Sequence, residues 1–155
     1  MFPLIQAGDA LTIRLKGREN IRVGDVAAFF QNQTTVPDKA KTIIVHRIVK
    51  KKRINGKNRY CQKGDNASGW GWIAEEDLIG TIESVNKNGK IISLVSGRMA
   101  LINRIIGFAG CFLVTFIEKF HPVIIAAGYH PSKDFPKIRE KTVCIVNKIL
   151  QRFYN

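Results

Sequence analysis

The 155-residue chain has little with which to staple itself or hold a metal. Its three cysteines, Cys61, Cys111 and Cys144, are an odd set without a Cys-x-x-Cys pair, so a disulfide framework is not expected and they read as buried thiols. The three histidines, His46, His121 and His130, are scattered and make no zinc spacing with those cysteines. There is no G-x-x-x-x-G-K-[ST] phosphate loop, no H-E-x-x-H and no G-x-S-x-G; the glycines of Gly69-Trp70-Gly71 lead into no Gly-Lys. No cofactor or metal is expected on these grounds. Met1–Gln6 is a short apolar stub running into Gly8-Asp9, not a signal peptide. No uncharged apolar run reaches the length of a membrane span. The longest, Ile105–Ile117, makes a helix of about 20 Å against a hydrocarbon core of about 30 Å. It is expected to lie on a membrane or under a domain, not to cross alone.

Acidic residues are also scarce. Twelve Asp and Glu face 25 Lys and Arg, a net charge of +13. The excess is spread along the body, +7 over residues 1–96 and +6 over 97–155. Such a chain attracts polyanions, of which nucleic acid and anionic lipid are the obvious two. Aromatic residues do not interleave with the basic ones as stacking platforms would, which makes nucleic acid an unlikely partner. The 45% hydrophobic content excludes a disordered chain.

Up to about Ser96 the pattern is that of strands. Leu11–Leu15 alternates, Val26–Phe30 is a short apolar run, and Thr42–Val49 is rich in β-branched residues. Asn58–Gln62 follows across Asn55-Gly56, and Leu78–Val85 and Ile91–Val95 flank Asn88-Gly89; both dipeptides are hairpin signals. Lys50–Arg53 reads as a solvated hairpin tip. After Gly97 the pattern turns helical. Met99–Phe120 reads as one helix or two, interrupted at Gly107 and Gly110; 122–136 is a proline-containing break; Ile138–Phe153 is an amphipathic helix with a basic face suited to water or to an anionic membrane. The expectation is a mainly β protein: a compact antiparallel β peptidase-like domain over 1–96, then a helical, basic C-terminal region over 97–155.

Alternation puts His46 on the face shared with Ile44 and Ile48, opposite Val45 and Arg47. A lone histidine on an apolar face is ordinarily a core residue, yet a neutral imidazole is also what a general base must be. Three Gly-Asp pairs lie beside expected strands. Asp9 and Asp25 read as turn chemistry. Asp65 lies on the return strand of the hairpin that carries His46. With the turn at Asn55-Gly56, residues near 62–65 come opposite 46–49, and a carboxylate there could orient the imidazole. Trp70 and Trp72 read as a cap over a cleft or a membrane-interface contact.

Taken in order, Met1-Phe-Pro-Leu-Ile-Gln-Ala-Gly-Asp9, Ile21-Arg-Val-Gly-Asp-Val-Ala-Ala-Phe29, Val45-His-Arg-Ile48, Lys63-Gly-Asp-Asn66 and Leu78-Ile-Gly80 resemble the type I signal peptidase family and its relatives, the self-cleaving SOS repressors among them. The resemblance covers about residues 1–96. It implies a β-rich peptidase fold and a serine nucleophile in a Ser-Met-x-Pro box. Val-His-Arg-Ile is similar to the branch that uses histidine, not lysine, as base. The implied chemistry is cleavage of an extended precursor polypeptide through an acyl-enzyme, with His46 as base and Asp65 in the Gly-Asp-Asn box. The position where that branch carries a further aspartate is Gly71 here. The nucleophile belongs immediately ahead of Met1. Ser68, Ser84, Ser93, Ser96 and Ser132 have no Met-x-Pro after them, and none is assigned the role. The polypeptide without that serine is therefore expected to be catalytically dead, and a membrane-associated location is expected, peripheral or through an N-terminal anchor ahead of Met1, with the cytoplasm as the fallback. The alternative is an inactive peptidase-fold protein that binds a membrane surface or nucleic acid through its basic charge.

Overall fold

The computed structural model describes residues 5–6, 8–15, 21–31, 42–65, 67 and 69–126, with side chains as far as 120. Seven strands form one antiparallel sheet: β1 (Ala10–Arg14), β2 (Val26–Gln31), β3 (Thr42–Ile54), β4 (Lys57–Lys63), β5 (Trp70–Ala74), β6 (Leu78–Lys87) and β7 (Lys90–Ser93). Their spatial order is β1-β6-β2-β3-β4-β5, with β7 paired to β6. One helix, α1 (Gly97–Ala126), follows. The box at Met1–Pro3, Asn66, Ser68, Ser132, His130, Cys144 and the expected helix at 138–153 lie outside the described residues.

Both hairpin dipeptides make their turns as expected. Asn55 and Gly56 have φ of 49° and 77°, and Asn88 and Gly89 have 51° and 86°. Two successive positive φ values match the type I′ turn, whose twist suits paired strands. The Gly-Asp pairs at 8–9 and 24–25 also act as turn chemistry: Asp9 Oδ2 accepts from Gln6 N at 2.8 Å, and Asp25 Oδ2 from Arg22 N at 3.0 Å. Of the basic run Lys50–Arg53, Lys51–Arg53 are exposed, as expected of a solvated turn, whereas Lys50 is half-buried and pairs with Glu118 on α1 at 2.9 Å.

Two elements depart from the expectation. Trp70 and Trp72 lie on a strand, β5, that pairs with β4 from Arg59↔Ala74 to Lys63↔Trp70. They cap no cleft: both pack against the cluster of Val49, Cys61 and Val114, and Lys52 Nζ sits 3.9 Å from the Trp72 ring centroid. The second is α1, which runs unbroken through Gly107 and Gly110 and past Pro122 to Ala126. A proline removes one backbone donor, a local loss within thirty helical residues.

The two glycines serve packing. A Cβ on Gly107 would collide with the Gly24 backbone, and one on Gly110 would lie 2.6 Å from Val49 Cγ1. The missing side chains let α1 settle on the sheet, burying Asn103, Gly107, Val114 and Ile117. The sheet thus has two covered faces. One carries Val26, Ala28, Ile82, Val85 and Leu94; the other carries Ala27, Phe29, Ile48 and Tyr60 with Ile21 and Leu78.

Gly107→Ala is expected to destabilise the fold by about 1–3 kcal/mol through overpacking. Gly69→Ala, where a Cβ meets nothing, should stay within about 0.5 kcal/mol. Urea denaturation of the two variants checks this. Burial pushes the Cys61 thiol up to about 11, with Glu118 adding to the effect and Lys50 opposing it. At pH 8 its thiolate fraction is then on the order of one in a thousand. Iodoacetamide mapping by mass spectrometry should find Cys61 alkylated only in denaturant, and the half-buried Cys111 ahead of it.

Candidate functional site

His46 sits mid-strand on β3, directly opposite Ala27 of β2. Its half-buried ring stands on the face of Ile44 and Ile48, and Phe29 meets it edge-on with ring centroids 6.1 Å apart. The hairpin register is Arg47↔Lys63 and Ile48↔Gln62, so the expected juxtaposition of 46–49 with 62–65 is present.

The group that meets the imidazole is not the one the sequence suggested. Gln62 Oε1 accepts a hydrogen bond from His46 Nδ1. Gln62 reaches over Gly71, its partner on β5, where a Cβ would come 3.1 Å from the amide nitrogen. In the neutral ring, an amide oxygen at Nδ1 holds the proton there and leaves the lone pair on Nε2, the tautomer a base needs. Nε2 faces the chain at Gly64, where a Cβ would approach to 3.0 Å. The turn beyond is stapled by Lys63 Nζ, which donates to Gly64 O at 3.2 Å and Ala67 O at 2.8 Å. Glycine at 64 therefore keeps a side chain off the basic nitrogen.

Asp65 is placed away from the ring. Both of its oxygens are taken by Arg47: Nε to Oδ1 at 2.9 Å and Nη2 to Oδ2 at 2.8 Å. The reason is parity. Arg47 points to the face opposite His46, and its side chain is 1% exposed under α1. A guanidinium so deeply buried demands an anion, and the first carboxylate past β4 supplies it bidentately. The remaining nitrogen, Nη1, donates to Gly24 O at 2.9 Å and Asn103 Oδ1 at 3.0 Å. Asn103 in turn donates to Leu94 O at 2.8 Å. Asp65 thus positions the strand that bears His46 without touching the imidazole. A cavity of about 320 Å³, lined by Arg22, Asp25, Thr81, Asn103 and Arg104 among others, has no wall at His46.

Gln62 belongs to no motif in the sequence; its one signal is the hairpin register, which sets it opposite Ile48, two residues from His46.

Comparison with protein-family models, with curated proteins and with solved structures finds no match to the chain.

Gln62→Ala should shift neutral His46 away from the Nδ1–H tautomer, read in the imidazole ¹⁵N chemical shifts. Asp65→Ala should leave that pattern unchanged while costing about 3 kcal/mol or more in a urea melt, because it strands a buried guanidinium. The reverse pattern would return Asp65 to the imidazole.

Proposed function

We propose that this chain is the body of a signal-peptidase-like serine endopeptidase that cleaves a precursor polypeptide by acyl-enzyme chemistry. The observation that carries the reading is the setting of His46: Nδ1 is held by Gln62 and glycine at 64 puts no side chain against Nε2, on the strand that bears Val45-His-Arg-Ile48. In the reaction, the hydroxyl of the serine placed immediately ahead of Met1 gives its proton to His46 Nε2 as its oxygen bonds to the scissile carbonyl carbon. The tetrahedral intermediate collapses, the C–N bond breaks, and the leaving amine takes the proton from Nε2. Water then repeats the sequence on the ester, with His46 again as base. Gln62 acts through His46, fixing its tautomer. Its neutral amide occupies the place that a carboxylate holds in other triads, beside Gly71. Ala27 and Gly64 bring little side-chain bulk next to the ring, which suits an extended substrate backbone.

Membrane association accompanies this role. Its support is the net charge of +13 and one helix among the described residues, over Gly97–Phe120, which contains an 18-residue stretch with a mean hydropathy of 1.9. By length and composition it could cross a membrane; the shorter uncharged run at 105–117 understates it because the helix continues through Arg104 and Glu118.

The test is a chain extended at its N-terminus by a segment ending in serine, assayed on extended peptides. It should cleave, and His46→Ala in the same background should lose about 10²–10⁴-fold in rate. The sequence as printed should show no cleavage. Undiminished cleavage by the His46→Ala variant would overturn the base assignment, and an inert extended chain would overturn the peptidase reading.

A further inference from the structure

We infer that the outward face of α1 is a docking face for an anionic lipid bilayer, on which the helix lies flat. The inference deepens the membrane association proposed above and does not depend on the peptidase chemistry.

The helix has two unlike sides. Asn103, Gly107, Val114 and Ile117 recur at helical spacing and are buried on the sheet. On the opposite side Leu101, Ile105, Phe108, Phe112 and Phe116 recur at steps of three and four and are exposed, Phe108 at 65% and Phe112 at 73%. Phe120 continues the row, and Phe112, Phe116 and Phe120 touch one another in sequence. At about 150–250 Å² per aromatic side chain, the phenylalanines alone expose on the order of 400–500 Å². That is as large as the biggest apolar patch of a typical soluble monomer, and such patches mark interaction sites.

Charge selects the occupant. Exposed Arg98 precedes the apolar row, exposed Lys119 stands at its far end beside Phe120, and exposed Arg104 flanks it. The one acidic residue of the described helix side chains, Glu118, is engaged by Lys50 at 2.9 Å. An apolar stripe edged by cations complements acyl chains edged by anionic headgroups, with the long basic side chains reaching up to the phosphates. Nucleic acid would leave the phenylalanine row uncovered.

The packing sets the orientation. α1 is fastened to the sheet at Asn103 by Arg47 and the Leu94 carbonyl, at Gly107 by the Gly24 backbone, at Gly110 by Val49, and at Glu118 by Lys50. Those points extend over about 22 Å of helix, most of a hydrocarbon core of about 30 Å. A helix so attached could cross a bilayer only by drawing charged strands in with it, with their edges unpaired. Lying in the interface, it buries the phenylalanine row and keeps the sheet in water. His46 then stands on the sheet face turned away from the lipid.

The experiment uses the full chain and sedimentation with vesicles of phosphatidylcholine, alone or with about 30% phosphatidylserine. Binding should be at least tenfold tighter to the anionic vesicles, fall with added salt, and be released by alkaline carbonate. Phe108→Ser/Phe112→Ser should weaken it at least tenfold. Arg98→Glu/Arg104→Glu, which leaves the apolar row intact, should weaken it and flatten the salt dependence, and reads the face independently if the serine variant fails to fold. Resistance to carbonate would mean a spanning helix and overturn the inference. So would self-association in solution that the serine pair abolishes while vesicles are ignored. Vesicle binding that neither variant alters would remove α1 from the contact but leave the membrane association standing; no vesicle binding at all would remove both.

Discussion

One buried guanidinium ties the molecule together. Arg47 reaches the carboxylate of Asp65 beyond β4, the carbonyl of Gly24 ahead of β2, and Asn103 on α1. It is the immediate neighbour of His46, so the strand that presents the imidazole is fixed from behind by three separate parts of the chain. A charge taken so fully out of water is tolerated only when its donors are met, and here they are met by an anion and two oxygen acceptors. The arrangement requires α1 to be seated, because Asn103 is one of the acceptors. The close approach permitted by Gly24 and Gly107 is therefore as much a condition of the site's geometry as the residues within it.

On the other face the demands differ. A histidine acting as base would need a fixed tautomer, little side-chain bulk at Nε2 and a partly dry surrounding. Gln62 bears on the first, the missing side chain at Gly64 on the second, and Phe29 with the aliphatic residues around it on the third. A glutamine orients as a carboxylate does but brings no countercharge, so it gives less help once the ring becomes an imidazolium. All three Gly-Asp pairs are thus set to structural work, Asp9 and Asp25 in turns and Asp65 on an arginine, while the group on the imidazole is an amide.

Much of this was legible in the residues. Asn55-Gly56 and Asn88-Gly89 announced two hairpins because only residues tolerant of positive φ make that turn, and strand alternation put His46 and Arg47 on opposite faces. What could not be read was which face would be covered. Alternation placed Arg47 opposite His46 but could not show that α1 closes over it, a long-range contact that no local pattern contains. The placement of Asp65 depends on that contact, since a carboxylate facing a buried arginine is no longer free for a histidine. β5 was overlooked because Trp70-Gly-Trp72 reads as an aromatic feature before it reads as an edge strand. Glycines at 107 and 110, which lower helix propensity in isolation, mark the side of α1 that touches the sheet.

The most direct test of the central claim, that His46 is poised to activate an upstream serine, is covalent capture. A chain carrying serine immediately ahead of Met1 is treated with a fluorophosphonate and its intact mass and adduct site are read by mass spectrometry. The account predicts a single adduct on that serine, lost when His46 is replaced by alanine. An adduct on another serine, or one that forms equally well without the imidazole, would contradict it.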